Sequence, residues 1–283
     1  MTAQTVWLAG AWTPLEEARI PVLDRGFLFG DGIYEVVPVY GGRKFRWPQH
    51  LARLQRSLAA IALRNPYDET GWTRLVDELV ARHPWPDQFV YLQVTRGVAR
   101  RDHAFPPDDV APTVFAMTSE LVAPPAAQRE QGVAAITLPD ERWLHCDIKS
   151  TSLLGNVLAR QAAVSAGAAE CVMFRDGFLT EGAASNIWVV RNGTVFGPPK
   201  DHFVLEGIRY GLLAELARDT GIALELRRIL REEVHAADEL ILSSATKELL
   251  PITRLDGRPV GNGRPGPVFA KLYAAYQRAK QAA

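Results

Sequence analysis

Apolar positions in the first half of the chain change period, and the change divides it into helices and strands. Pro48 introduces a run with Leu51, Leu54, Leu58 and Ile61 on one face, the spacing of a helix that packs on a sheet. Trp72, Leu75, Val76, Leu79 and Val80 predict a second helix, which stops near Pro84 and Pro86 because proline cannot continue it. Short strands and turns precede these helices. Residues 89–94 and 113–117, rich in β-branched and aromatic types, predict two strands separated by a polar loop that holds Arg100, Arg101 and His103.

Residues 121–131 shift to proline, alanine and polar types, the composition of a connection between domains. The expected organisation is therefore a smaller N-terminal domain over 1–121, a linker over 122–130 and a larger C-terminal domain over 131–283. A strand is expected at 133–138, followed by a helix with apolar positions Leu153, Leu154, Val157, Leu158 and Val164, with Lys149 just before it. Asp176-Gly177 and Asn192-Gly193 predict two hairpins, because those pairs tolerate the positive φ angles of tight turns, and Glu181 falls between them. A helix over 208–219 stops at Gly221, a strand covers 240–242, and a final helix carries Val268, Leu272 and Tyr276. No fixed-period repeat is present. The order predicts a mixed α/β (α+β) protein whose sheets are antiparallel or mixed rather than regularly doubly wound.

The length of 283 residues suits two domains, and 47% hydrophobic with 23% charged residues excludes a disordered chain. Lys+Arg and Asp+Glu number 32 each, so no net field favours nucleic acid or an anionic membrane over a small molecule. Cys146 and Cys171 fit neither a redox pair nor a zinc knuckle, and so low a count suggests a reducing compartment, with cytoplasm the expectation. The N-terminus lacks a basic region followed by an apolar stretch. No segment reaches the roughly 18 uninterrupted apolar residues of a membrane span, so export and membrane insertion are not expected.

Only six of the 32 basic residues are lysines, which limits the candidates for chemistry that needs a primary amine. Lys44 and Lys200 lie in turns and Lys271 and Lys280 on the terminal helix, all expected to be solvated, which leaves Lys149 and Lys247. Lys149 follows a predicted strand and precedes a helix, whose positive end would lower the pKa of an amine. It is suited to imine formation, although the same position suits an ordinary exposed lysine. Glu181 is flanked by small residues that admit a flat ligand, or is a solvated turn glutamate. Leu205 leads through Gly207, Ile208 and Arg209 into a helix whose first N–H groups suit a phosphate, and Gly207 suits a simple turn equally. Ser243 and Ser244 end an apolar strand, where a hydroxyl meets an anion or caps the next element.

Five segments carry a family resemblance: Asp24-Arg-Gly-Phe-Leu-Phe-Gly-Asp-Gly-Ile-Tyr34-Glu-Val-Val, Gln93-Val-Thr-Arg-Gly, Arg101-Asp-His103-Ala-Phe-Pro, Arg142-Trp-Leu-His-Cys-Asp-Ile-Lys149-Ser and Thr180-Glu181-Gly-Ala-Ala-Ser-Asn. With these, nearly the whole chain resembles the class IV, fold-type IV pyridoxal-phosphate aminotransferases, most closely the bacterial D-amino acid aminotransferases. The resemblance implies that Lys149 holds pyridoxal 5'-phosphate as an imine and moves the proton between the substrate α-carbon and the cofactor. Glu181 would face the pyridine nitrogen. Arg53 would meet the phosphate, with Leu205, Gly207, Ile208, Arg209, Ser244 and Ala245 around it. Arg53, about 200° around the helix from Leu51, is expected off the apolar stripe.

Tyr34, Arg101 and His103 match a trap for the substrate carboxylate, with Val36 beside them, and the Arg-x-His-x-Phe-Pro loop points to D-amino acids and 2-oxo acids as substrates. The same resemblance implies a homodimer in which that loop serves the partner's site. Within the fold, a transaminase for branched-chain L-amino acids or (R)-amines and an aminodeoxychorismate lyase are the alternatives. A protein that binds the cofactor without turnover is a remoter one. The chain departs from the family's pattern at Arg209 and Ala245, where threonines are usual, and at Ala183 and Ala184, where serines are common. Arg209 could replace a hydroxyl contact with a charged one or turn to solvent, and the sequence leaves both open.

Overall fold

A computed structural model describes residues 4–282. They form two compact units, one holding the chain up to Val122 together with Ile148–Leu153, the other holding Ala123–Asp147 and Leu154–Ala282.

The first unit contains β1 (Thr5–Leu8), β2 (Ala11–Pro14), α1 (Arg25–Phe29), β3 (Gly32–Tyr40), β4 (Arg43–Lys44), α2 (Trp47–Ala60), α3 (Glu69–Ala81), β5 (Gln88–Thr95) and β6 (Thr113–Glu120). Its six strands pair in the order β2-β1-β6-β5-β3-β4, all antiparallel. Side chains alternate across the strands, so Ile33, Val37, Val90, Leu92 and Val114 share one face. The helical stripes of α2 (Leu51, Leu54, Leu58) and α3 (Trp72, Leu75, Val76, Leu79) bury against it. Each such leucine contributes about 2 kcal/mol by leaving water.

The second unit contains α4 (Ala126–Glu130), β7 (Val133–Pro139), α5 (Leu154–Ser165), β8 (Glu170–Arg175), β9 (Phe178–Leu179), β10 (Asn186–Arg191), β11 (Thr194–Gly197), α6 (Ile208–Thr220), β12 (Leu224–Leu226), α7 (Arg231–His235), β13 (Glu239–Ser244), β14 (Glu248–Leu255), β15 (Arg258–Pro259) and α8 (Pro267–Ala282). Its sheet is mixed, in the order β12-β11-β10-β13-β14-β7-β8-β9 with β15 on β14. The β7–β8, β7–β14 and β11–β12 pairs are parallel. Both expected hairpins form, with positive φ at Asp176 and Gly177 and at Asn192 and Gly193. Gly221 closes α6 in the left-handed conformation.

Three expectations need correction. Residues 126–130 of the expected linker form α4, with Pro125 in extended backbone at its start. Residues 148–153 of the expected C-terminal domain belong to the first unit, because the edge of β3 is open where β4 does not reach. There Tyr34 N–H donates to the Lys149 carbonyl (2.9 Å) and Thr151 N–H to Gly32 (3.0 Å), satisfying backbone groups that an open edge leaves unpaired. The expected apolar stripe of α5 is exposed at Leu154, Val157, Leu158 and Val164. That helix packs instead through the small side chains Ala159 and Ala163 near Cys171 and Met173, since alanines at i and i+4 allow close approach. Among the described residues no helix is long and apolar enough to cross a membrane.

Candidate active site

In the first unit, residues 24–31 run through α1 and its closing turn into β3, which carries Tyr34. Asp24 caps α1 by accepting from Gly26 N–H (2.8 Å) and from the Thr95 hydroxyl (3.0 Å). A Cβ on Gly26 would lie 2.2 Å from Thr95 Cγ2, and Gly30 ends the turn at φ +66°, so both glycines are sterically required. Lys149 Nζ stands 4.0 Å from the centroid of the Tyr34 ring. The expectation that Lys149 lies at a helix start fails: it sits in the extended segment along β3, and α5 begins only at Leu154, beyond the reach of its dipole.

Four of the other five lysines have acidic partners. Lys247 lies 3.5 Å from Glu170, Lys280 2.7 Å from Glu248 and Lys200 2.6 Å from Glu206, and Lys44 pairs with Asp77. Lys44 and Lys280 are thus ion-paired and largely covered rather than solvated. Cys146 and Cys171 are both buried, which pushes each thiol up to about 11 and leaves no thiolate nucleophile at neutral pH.

Strand alternation places Tyr34 and Val36 on one face of β3, opposite Gln93 and Tyr91 of β5. The Tyr34 and Tyr91 rings stack at 5.7 Å, and the Tyr91 hydroxyl donates to Gln93 Oε1 (2.7 Å). Burial, with Tyr34 nearby, pushes that hydroxyl up to about 12, so it stays protonated. Arg101 and His103 are exposed and share the Phe29 ring, Arg101 Cζ lying 5.4 Å from its centroid and the His103 ring also 5.4 Å. No described contact joins them to Tyr34.

Glu35 points to the opposite, helix-covered face. Arg53 donates to it through Nε (2.6 Å) and Nη2 (2.8 Å), and His50 Nδ1 lies 2.8 Å from Oε2. Arg53 is therefore buried in the α2 interface rather than off its stripe, because a carboxylate under β3 draws the guanidinium inward. Burial favours a neutral Glu35, but Arg53 and His50 more than offset it and hold the carboxyl well below the usual range.

In the second unit Glu181 follows β9 and is buried, not a solvated turn residue. Its Oε2 accepts from Asn186 Nδ2 (3.0 Å) and from Leu205 N–H (3.1 Å), and Oε1 meets Arg142 Nη1. Asn186 Nδ2 also donates to the Leu205 carbonyl (3.0 Å), tying the glutamate to the segment before α6. Arg142 is largely committed elsewhere, since it donates to Asp140 through Nε (2.9 Å) and Nη2 (2.7 Å), and Arg175 approaches the same carboxylate at 3.1 Å. An ion pair normally lowers a carboxyl, but burial prevails at Glu181 and pushes it up to about 7, with Arg142 pulling down and Asp140 adding to the rise. Sequence reasoning assigned no role to Arg142, Asp140 or Asn186. An Asp-x-Arg pair directly before Trp143 and Leu144 was the available sign.

Gly207 caps α6 in extended backbone, and a Cβ there would lie 2.2 Å from Asn186 Oδ1. The N–H groups of Ile208 and Arg209 stand in the first turn, where a helix offers donors it cannot use itself. The Arg209 side chain does not turn to solvent. It is buried, donating to the Tyr276 hydroxyl (2.8 Å) and the Ala245 carbonyl (3.2 Å). Ser244 Oγ accepts from Lys247 N–H (3.0 Å), so it caps its turn.

The description "Amino-transferase class IV" fits this chain over residues 32–255. D-alanine aminotransferases of Staphylococcus epidermidis and Bacillus licheniformis are each 38% identical to it, over 96% and 92% respectively of both chains. The fold matches a solved branched-chain amino acid aminotransferase from T.th. with pyridoxamine 5'-phosphate at TM-score 0.91 and 24% identity, covering 100% of this chain and 95% of that one.

Proposed function

This chain belongs to the amino-transferase class IV family, and on that premise we propose that it is a D-amino acid transaminase that uses pyridoxal 5'-phosphate. It moves the amino group of a D-amino acid such as D-alanine to a 2-oxo acid such as 2-oxoglutarate, in two half-reactions. The observation that carries this reading is the 38% identity to D-alanine aminotransferases over 96% of the chain.

The residues present fit the cofactor. Glu181, buried and titrating near 7, can share a proton with a pyridine nitrogen, and α6 offers first-turn N–H groups beside a Gly207 that has no room for a side chain. Bound there, pyridoxal phosphate supplies an electron sink for the bond broken at the substrate α-carbon. Lys149 holds the cofactor covalently and carries the proton to and from that carbon. Arg53, fixed in place by Glu35, is assigned to the phosphate with Gly207, Ile208 and Ser244. Leu205, Arg209 and Ala245 are assigned to the same cofactor, Arg209 through its backbone N–H, while the Arg209 side chain donates to the Ala245 carbonyl. Tyr34, Val36, Arg101 and His103 receive the substrate, the last two as charged and polar donors to its α-carboxylate.

The assembly proposed is a homodimer in which the loop of one subunit serves the site of the other. Two free cysteines suit the cytoplasm. The test is an enantiomer-resolved assay with 2-oxoglutarate. Pyruvate is expected from D-alanine and not from L-alanine, and turnover of L-leucine or an (R)-amine without turnover of D-alanine would overturn the assignment.

A further inference from the structure

Arg101 and His103 pose a physical difficulty as carboxylate ligands. Both are exposed, and they lie between β5 and β6 in a long run with neither helix nor extended strand. An unrestrained loop of that kind loses conformational entropy whenever it closes on a ligand, which weakens binding.

Arg25 supplies a restraint from below. It is buried in α1, and its Nη1 donates to the carbonyl oxygens of Asp102 (2.6 Å) and Ala104 (3.2 Å), with Nη2 3.5 Å from that of His103. Three consecutive carbonyls, starting one residue after Arg101, thus converge on one guanidinium. Its Nε is fixed on Asp31 Oδ2 at 2.7 Å. Asp31 is gripped again by Arg96 Nε (2.9 and 3.1 Å), whose Nη groups donate to Ile61 (2.7 Å) and Ala62 (3.0 Å) carbonyls at the end of α2. The Arg96 guanidinium lies 3.8 Å from the centroid of Phe105, at the other end of the turn. The Phe29 ring, on the same short helix as Arg25, carries Arg101 and His103 as described above. Burial alone would raise the Asp31 carboxyl, but Arg96 and Arg25 hold it below its ordinary value, so the anchor is ionised at neutral pH.

We infer that Arg25, locked by Asp31 and Arg96, is a positioning residue that presets the 101–105 turn and so sets the affinity of the enzyme for its substrate carboxylate. The inference rests on the carboxylate-binding reading of Arg101 and His103. Arg25→Lys separates the possibilities, because lysine keeps the charge beside Asp31 but cannot reach Asp31 and two carbonyls at once.

In the holoenzyme, Arg25→Lys is expected to speed hydrogen exchange of the Ala104 amide, which donates to Asp102 Oδ1 (3.1 Å), by about tenfold and to raise KM for D-alanine by about tenfold, with kcat within about threefold. A purely structural role would lower kcat and thermal stability together. If Arg25→Lys does not yield folded protein, Phe29→Leu removes the platform and keeps the ion pairs. The same split, at about threefold, is then expected. Unchanged exchange and KM in whichever variant folds would overturn the inference. Arg101→Ala, measured alongside, is expected to raise KM. If it leaves KM unchanged the carboxylate reading itself fails, while faster loop exchange in Arg25→Lys still establishes the restraint.

Discussion

Glu35 in the first unit and Glu181 in the second are both buried carboxylates facing an arginine, yet they end in opposite protonation regimes. Glu35 receives a two-pronged Arg53 together with His50, so it is held well below the carboxylate range. Glu181 receives one contact from an arginine that also makes two bonds to Asp140, and burial carries it up to about 7. The lesson is that the local count of charges, more than the presence of a partner, decides whether a buried acid is a fixed anion or a working proton site.

Substituting each acid breaks the pair apart. Glu35→Gln takes this counter-charge from the buried Arg53 and is expected to cost about 3–5 kcal/mol of unfolding free energy, read by denaturant titration. Glu181→Gln is expected to change stability by less than about 1 kcal/mol at about pH 4.5, where Glu181 is protonated, while lowering turnover of D-alanine at neutral pH roughly 10²-fold, read by steady-state kinetics. Equal stability losses in the two variants would erase the distinction.

Acidity sharpens it. The folded value of Glu181 is raised, so its contribution to the stability of the cofactor-free protein is full below about pH 4.5 and is lost as pH rises through about 7. Wild type is expected to lose about 2–3 kcal/mol relative to Glu181→Gln between pH 4.5 and 8, read by denaturant titration at each pH. Glu35 acts in the opposite sense, its contribution being present above its ordinary value of 4.5 and lost as pH falls towards its lowered folded value. The smallest effect belongs to Asp140→Asn, which frees Arg142 for Glu181. The Glu181 carboxyl is expected to fall by about one pH unit, or about 1.4 kcal/mol, followed by carbon NMR of labelled glutamate.

Much of the fold was legible because local rules decide it. Asp176-Gly177 and Asn192-Gly193 require positive φ, Gly221 stops α6, and Leu51, Leu54 and Leu58 face a core. Pairings distant in sequence were not legible. Nothing in residues 148–151 announces that they complete the edge of β3, and the stripe of Leu154, Val157 and Leu158 has helical period without being buried within its unit. In the candidate site, the roles of Lys149 and Glu181 came from the family resemblance, since residue type and neighbours alone suited an exposed lysine and a turn glutamate equally. The inward turns of Arg53 and Arg209 depended on Glu35 and Tyr276, partners that helix period does not reveal.

Lys149 is the amine on which the chemistry depends, and borohydride reduction of the purified holoprotein followed by peptide mass mapping tests it most directly. A reduced pyridoxyl adduct on Lys149 is the expected result. An adduct on Lys247, with Lys149 unmodified, would contradict it.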